Sequence, residues 1–233
     1  MPPLSLLIKP ASGNCNLRCK YCFYHSIAEN RTMPSYGRMT LETLEILVKK
    51  ALDQADYSCT FAFQGGEPTL AGLDFYCKLI EYVKLYNTKK IKVNYAIQTN
   101  GMVIDNEWAK FLHEYNFLVG LSLDGYKDLH DIMRVDVASK GTFNRVMNTV
   151  ELFNKYKVEY NILCVVNDYL ACHVQKAYNF FKKNGFQYLQ FIPCLDPLGE
   201  IPGGNEYSLT PERYALFLKI FLMNGTETLS REK

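Results

Sequence analysis

Six short runs rich in β-formers alternate with stretches of helical period along this chain, and no other feature constrains the fold as strongly. The runs are LSLLIKP, CTFAFQ (59–64), KVNYAIQTN, FLVGLSLDG, EYNILCVVN and YLQFIPC. Between them lie TLETLEILVKKALDQA, LDFYCKLIEYVKLYN, DNEWAKFLHEYN, TFNRVMNTVELFNKYK and HVQKAYNFFKKNG, and TPERYALFLKIFLMNG closes the series. Thr40 and Asp105 stand where helix N-caps belong, and Gly185 where a helix should end. Strands separated by helices pair in parallel through right-handed crossovers. Six units fall short of the eight of a closed barrel, so the expected fold is α/β, a partial (β/α)6 barrel of TIM type. One domain is expected over residues 1–233, with about 210–233 as a C-terminal helix and tail.

In such a fold, chemistry collects where strands end and the following loops begin. The Gly/Pro loop PLGEIPGGNEYS (197–208) is expected to be a surface connection, with a lid or substrate-edge role as the alternative.

A hydrophobic fraction of 48% over 233 residues is enough for one substantial core. The formal charge is +2 with no basic block, which argues against nucleic acid or an anionic membrane as a partner. MPPLSLLIKPASGN lacks a basic n-region, and no window approaches the roughly 18 apolar residues of a membrane span. The expected location is cytoplasmic. A reducing compartment makes a disulfide framework the weaker explanation of eight cysteines. Cys59, Cys77, Cys164, Cys172 and Cys194 are scattered singly and read as buried, inert thiols.

Cys15, Cys19 and Cys22 are different, being three thiols in the eight residues CNLRCKYC directly after the first strand. A thioredoxin-type pair would use Cys19 and Cys22 and leave Cys15 unexplained. Structural zinc needs four ligands, and His25 is a candidate fourth. A [4Fe–4S] cluster held by three cysteines leaves one iron without a protein ligand. A small molecule can bind there, so the missing thiolate turns an electron carrier into a catalyst.

C-x3-C-x2-C with an aromatic before the last cysteine resembles the radical S-adenosylmethionine (SAM) superfamily. FQGGEPTL (63–70) after the second strand looks like that family's GGEP motif, and SLDG (122–125) with Arg134 like its ribose and carboxylate contacts. LLIKPASGNCNLRCKYCFY, FAFQGGEPTLAG, QTNG, AKFLHEYNFLVGLSLDG, YNILCVVN and LQFIPCLDPL further resemble the anaerobic sulfatase-maturating enzymes, over roughly residues 1–218. Those enzymes oxidise a cysteine or serine of a sulfatase to Cα-formylglycine.

The resemblance implies two cofactors, a [4Fe–4S] cluster on Cys15, Cys19 and Cys22, and SAM chelating its open iron. Reductive cleavage of SAM then gives a 5′-deoxyadenosyl radical that takes hydrogen from the substrate. By the same resemblance, Gly65 and Gly66 offer backbone acceptors to the SAM ammonium, with Glu67 as a charged helper. Arg134 suits the carboxylate through two parallel hydrogen bonds. Ser122, aided by Asp124, serves the ribose, and Tyr21 and Leu195 the adenine. Tyr24, Gln64 and Gln98 are candidate substrate contacts. The implied partners are an unfolded sulfatase polypeptide carrying a Cys/Ser-type motif, and an electron donor such as ferredoxin or flavodoxin.

Full-length maturases carry a C-terminal auxiliary-cluster region and an aspartate base, and no cysteine follows Cys194 here. That region is expected to be absent beyond Lys233, so no catalytic residue is assigned and full turnover is expected to be impaired. Two alternatives remain: another peptide- or metabolite-modifying radical SAM enzyme, and a non-catalytic zinc-binding protein.

Overall fold

The computed structural model describes residues 3–231, and the last two residues of the expected tail, 232 and 233, lie outside them. The elements run β1 (Leu4–Ile8), α1 (Phe23–Glu29), α2 (Leu41–Gln54), β2 (Ser58–Phe63), a 3-10 turn (Pro68–Ala71), α3 (Leu73–Tyr86), β3 (Lys92–Thr99), α4 (Asn106–Glu114) and β4 (Phe117–Ser122). Then follow α5 (Lys127–Met133), α6 (Phe143–Tyr156), β5 (Tyr160–Val166), α7 (Asp168–Cys172), α8 (Val174–Lys183), β6 (Leu189–Pro193) and α9 (Pro211–Arg231). The strands are ordered sequentially from β1 to β6. Each run singled out in the sequence carries its strand; each strand ends a residue or more before its run does, and β2 begins one residue earlier than expected, at Ser58. The elements that periodicity did not reveal are α1, α5, α7 and the 3-10 turn, of 7, 7, 5 and 4 residues. Two turns or fewer are too short to display a 3.6-residue repeat.

Two compact units make up the chain: Met1–Asn16, Ala28–Leu121 and Asn148–Tyr160 in the first, and Leu17–Ile27, Ser122–Met147 and Asn161–Lys233 in the second.

In the first unit β1, β2, β3 and β4 pair in parallel, with Ile8 opposite Phe63, Phe63 opposite Ile97, and Ile97 opposite Val119. The hydroxyl of Thr40 accepts the Thr43 N–H and starts α2, while Asp105 accepts from Glu107 and Trp108 and starts α4. Tyr76 anchors the core, its ring edge-on to Phe63 (5.0 Å), Phe75 (5.2 Å) and Trp108 (5.3 Å). Such pairs contribute about 0.5–1.5 kcal/mol each beyond area burial. The Tyr76 hydroxyl donates to the Pro68 carbonyl at 2.9 Å, which fastens the turn after β2 to this core.

The second unit pairs β5 with β6 in parallel, Cys164 opposite Phe191. Its aromatic core joins α8, β6 and α9: Phe191 meets Phe181 (6.0 Å), Phe217 (5.2 Å) and Phe221 (4.6 Å). Gly185 ends α8 at φ +69°, its N–H bonding the Lys182 carbonyl while Phe186 N–H bonds that of Phe181. That is a Schellman closure, and the left-handed backbone explains the glycine. Among the described residues, no helix is long and apolar enough to cross a membrane.

Candidate functional site

The end of β2 meets the cysteine-bearing loop within the first unit. Gln64 continues the ladder through its N–H to the Ile8 carbonyl, and Gly65 and Gly66 then turn the chain at φ +92° and +57°. A Cβ on Gly66 would lie 2.4 Å from the Asn14 carbonyl oxygen and 3.0 Å from that of Ser12. The second glycine is therefore required by the close approach of the loop that delivers Cys15. Glu67 N–H donates to the same Asn14 oxygen at 2.8 Å.

Glu67 itself is 1% exposed. Its Oε1 accepts from Thr69 N (3.1 Å), Thr69 Oγ1 (2.6 Å) and Thr99 Oγ1 (2.7 Å), and its Oε2 from Asn100 N (2.7 Å). Burial pushes its carboxyl up, and these hydrogen bonds oppose the shift. The carboxylate thus joins the turn after β2 to the end of β3.

Asn100, to which sequence reasoning assigned nothing, is 6% exposed, and its Nδ2 reaches Cys15 Sγ (3.7 Å) and Asn16 Oδ1 (2.8 Å). The signal that points to it is a polar residue closing a strand directly before a glycine, in QTNG. Gln64 and Gln98 are half-buried, and the Phe63–Ile97 register makes them neighbours. The Gln98 amide lies over Gly120, where a Cβ would be 2.0 Å from its Oε1.

In the second unit the loop carrying Cys19 and Cys22 is held by backbone and side-chain bonds. Arg18 N–H donates to Val135 O (2.8 Å) and Lys20 N–H to Met133 O (2.9 Å), and Leu17 bridges Asp136 in antiparallel fashion. Between those carbonyls stands Arg134, 6% exposed, whose Nε donates to Asp124 Oδ2 at 2.9 Å and whose Nη1 lies 4.0 Å from Cys19 Sγ. Tyr21 donates its hydroxyl to the same Asp124 oxygen, and the guanidinium lies 5.5 Å from its ring centroid. Burial is the largest of the causes that push the Tyr21 phenol well above its ordinary range, against the lowering effect of Arg134. Asp124 Oδ1 accepts from Val165 N at 3.0 Å. Asp124, expected as a helper to Ser122 at the ribose, is 1% exposed, and its carboxylate holds Tyr21, Arg134 and β5.

His130 lies behind this group, fully buried. Its Nδ1 accepts the Asp124 N–H (3.3 Å) and its Nε2 faces Thr142 Oγ1 (3.0 Å), which donates to the Arg134 carbonyl (2.9 Å). The network assigns a neutral imidazole with its proton on Nε2, and burial, the largest cause, lowers its pKa to about 4. Ser122 ends β4 with 8% exposure. Tyr24 is half-buried in α1 beside Phe23. Leu195, after β6, is 62% exposed. The following loop is closed on Asp196, whose carboxylate accepts from Ser208 Oγ and from Gly203 N (2.8 Å).

No disulfide joins any of the eight cysteines. Cys59, Cys164 and Cys194 are buried as expected, and burial raises the first thiol to about 11 and the last to about 12. Cys77 and Cys172 depart from the expectation: Cys77 is half-buried in α3, and Cys172 is exposed at the end of the short α7, where its sulfur meets Asp168 Oδ2 at 3.7 Å. Cys15, Cys19 and Cys22 are all half-buried. Two of them have an N–H donor directed at sulfur, a contact that a sulfur ligating iron can accept. That donor chemistry fits an iron–sulfur cluster. Among the described residues, no group of three or more His, Cys, Asp or Glu converges on a single ion, and His25 is exposed.

A sequence model of the Radical SAM superfamily matches residues 10–181. The chain is 56% identical over 222 residues to a cysteine-type anaerobic sulfatase-maturating enzyme of Clostridium novyi, covering 95% of this chain and 59% of that one. It is 57% identical over 219 residues to the corresponding enzyme of Clostridium perfringens, covering 94% and 59%. The chain thus spans about 59% of the length of the curated relatives it matches. Among solved structures, native anSMEcpe with bound AdoMet and Kp18Cys peptide superposes with a TM-score of 0.94 at 53% identity, covering 99% of this chain and 62% of that one. The partial (β/α)6 barrel expected from the alternation is therefore the fold the chain adopts.

Proposed function

The chain belongs to the radical SAM superfamily, and from that premise we propose that it is the SAM-cleaving part of an anaerobic sulfatase maturase. The family uses a [4Fe–4S] cluster and SAM. The observation that carries the finer reading is the extent of likeness to cysteine-type maturases, which is nearly continuous over this chain. The proposed target is accordingly a cysteine in an unfolded sulfatase polypeptide, with its side chain oxidised to the aldehyde of Cα-formylglycine. A low-potential carrier such as ferredoxin or flavodoxin is the proposed electron donor.

When bound, the cofactor pair supplies one-electron reduction of SAM and, through the 5′-deoxyadenosyl group, hydrogen-atom abstraction from the substrate. The protein's own residues ligate, orient and exclude water. Cys15, Cys19 and Cys22 are the proposed iron ligands. In the first unit, the backbone at Gly65 and Gly66 is proposed to accept from the SAM ammonium, while Glu67 fixes the turn that presents it. Gln64 and Gln98, side by side at the ends of β2 and β3, are proposed to hold a peptide backbone. In the second unit, Arg134 commits Nε to Asp124 and directs Nη1 at Cys19 Sγ, and its remaining N–H groups are proposed for the SAM carboxylate. Ser122 is proposed for the ribose, Tyr21 and Leu195 for the adenine, and Tyr24 for the peptide. Asp124 acts through Tyr21 and Arg134, keeping both in place.

The test is anaerobic reconstitution with iron and sulfide, followed by SAM and dithionite. About four irons per chain and formation of 5′-deoxyadenosine are expected, both abolished by Cys19→Ala. A colourless protein that yields no nucleoside would overturn the reading. Addition of a sulfatase peptide with a C-x-P-x-R core tests the finer claim by mass loss at its cysteine. A product formed only on unrelated peptides or metabolites would move the chain to another branch of the superfamily.

A further inference from the structure

Asn100 makes an unusual set of contacts for a residue that ligates nothing. Its backbone N–H is held by Glu67 Oε2 at 2.7 Å, and its Oδ1 accepts the Met102 N–H at 2.9 Å. The next residue is pinned as well, since Thr149 Oγ1 donates to the Gly101 carbonyl at 2.7 Å. With Oδ1 committed to an N–H donor, the amide has one orientation, and Nδ2 must carry the two remaining hydrogens. One is directed at Asn16 Oδ1 (2.8 Å), and the other at Cys15 Sγ (3.7 Å). The residue as a whole is 6% exposed.

We infer that Asn100 is a positioning residue for Cys15 that also sets the reduction potential of the cluster proposed to bind there, an inference that rests on the cluster reading above. A hydrogen bond to a ligating sulfur stabilises the state with more negative charge on the cluster, which is the reduced one. The donor is fixed before any cluster arrives, because both β3 and the turn after β2 hold it. The Nδ2 bond to Asn16 orients the residue beside Cys15, and the bond to sulfur acts on the thiolate itself. Removing the donor disfavours the step in which the cluster takes one electron from a reductant such as dithionite, which is itself oxidised.

The experiment is a dithionite titration of the reconstituted full chain, with mediators, followed by electron paramagnetic resonance of the reduced cluster. Asn100→Ala should lower the midpoint by about tenfold in the one-electron equilibrium, about 59 mV. Asn100→Asp keeps the size and the acceptor for Met102 but places a carboxylate oxygen beside the sulfur. Its midpoint should fall further, and this variant carries the test if Asn100→Ala does not hold iron. Thr149→Val loosens the same turn without touching the donor, so it should lower the melting temperature and leave the midpoint in place. A wild-type midpoint in Asn100→Asp at full iron content would overturn the inference. So would an equal fall in Thr149→Val, which would assign the effect to the turn. Wild-type chain that takes up no iron is a separate failure, that of the cluster reading itself.

Discussion

Arg134 and Asp124 form a buried ion pair, Nε to Oδ2 at 2.9 Å, with side-chain exposures of 7% and 1%. The arginine is also the residue between the two carbonyls that hold the Cys19 loop, those of Met133 and Val135. Charge pairing and loop attachment therefore meet in the one segment 133–135. Removing one partner of a buried pair leaves a desolvated charge, a loss of about 3–5 kcal/mol. Asp124→Ala is expected to lower the urea midpoint accordingly and to reduce iron uptake. Unchanged stability in that variant would show that Arg134 finds another counter-charge.

Two glycines with left-handed backbone should respond differently to alanine. At Gly185 (φ +69°) a Cβ would meet nothing within 4 Å, so Gly185→Ala costs only the backbone strain, about 1 kcal/mol. At Gly66 (φ +57°) the Cβ would collide with the Asn14 carbonyl at 2.4 Å. Gly66→Ala is expected to displace the Cys15 loop and abolish stable iron incorporation. Iron analysis beside thermal melts of both variants checks the contrast; equal iron content in the two would contradict it.

His130 gives the fold a pH dependence of known sign. Its pKa falls from 6.5 to about 4 on folding, chiefly by burial. Between those values the unfolded chain binds the extra proton, so stability is complete above about pH 6.5 and is lost as pH falls toward 4. The full contribution is about 3 kcal/mol. Other carboxylates titrate in the same range, so the reading is the difference between wild type and His130→Gln in urea unfolding at pH 7 and pH 4.5. The variant should lose less stability on acidification, and parallel losses would contradict the assignment.

Glu67→Gln tests the clamp between the turn after β2 and the end of β3. The amide would present N–H groups to Thr69, Thr99 and Asn100, donors that the carboxylate now accepts. A loss of about 1–3 kcal/mol is expected from unsatisfied buried donors, together with weaker protection of the Asn100 amide in hydrogen exchange. Full protection at wild-type stability would refute the clamp.

The order of the six strands and the longer helices was legible in the chain because each of these spans enough residues to show its own period, which α1, α5, α7 and the 3-10 turn do not. Thr40, Asp105 and Gly185 were legible because caps are local: each acts on groups within three residues of itself. The cysteine spacing was equally plain, since C-x3-C-x2-C is a property of one short segment. What only the tertiary structure decided is which polar side chains remain available. Asp124 and Glu67 were expected as ligand contacts by resemblance, and the fold gives their carboxylates neighbours 10–103 and 2–33 positions away. Asn100 acquired a thiol partner 85 positions distant. A hydrogen bond between residues so far apart leaves no periodic trace in sequence, because its geometry exists only after strands from different parts of the chain have been laid side by side.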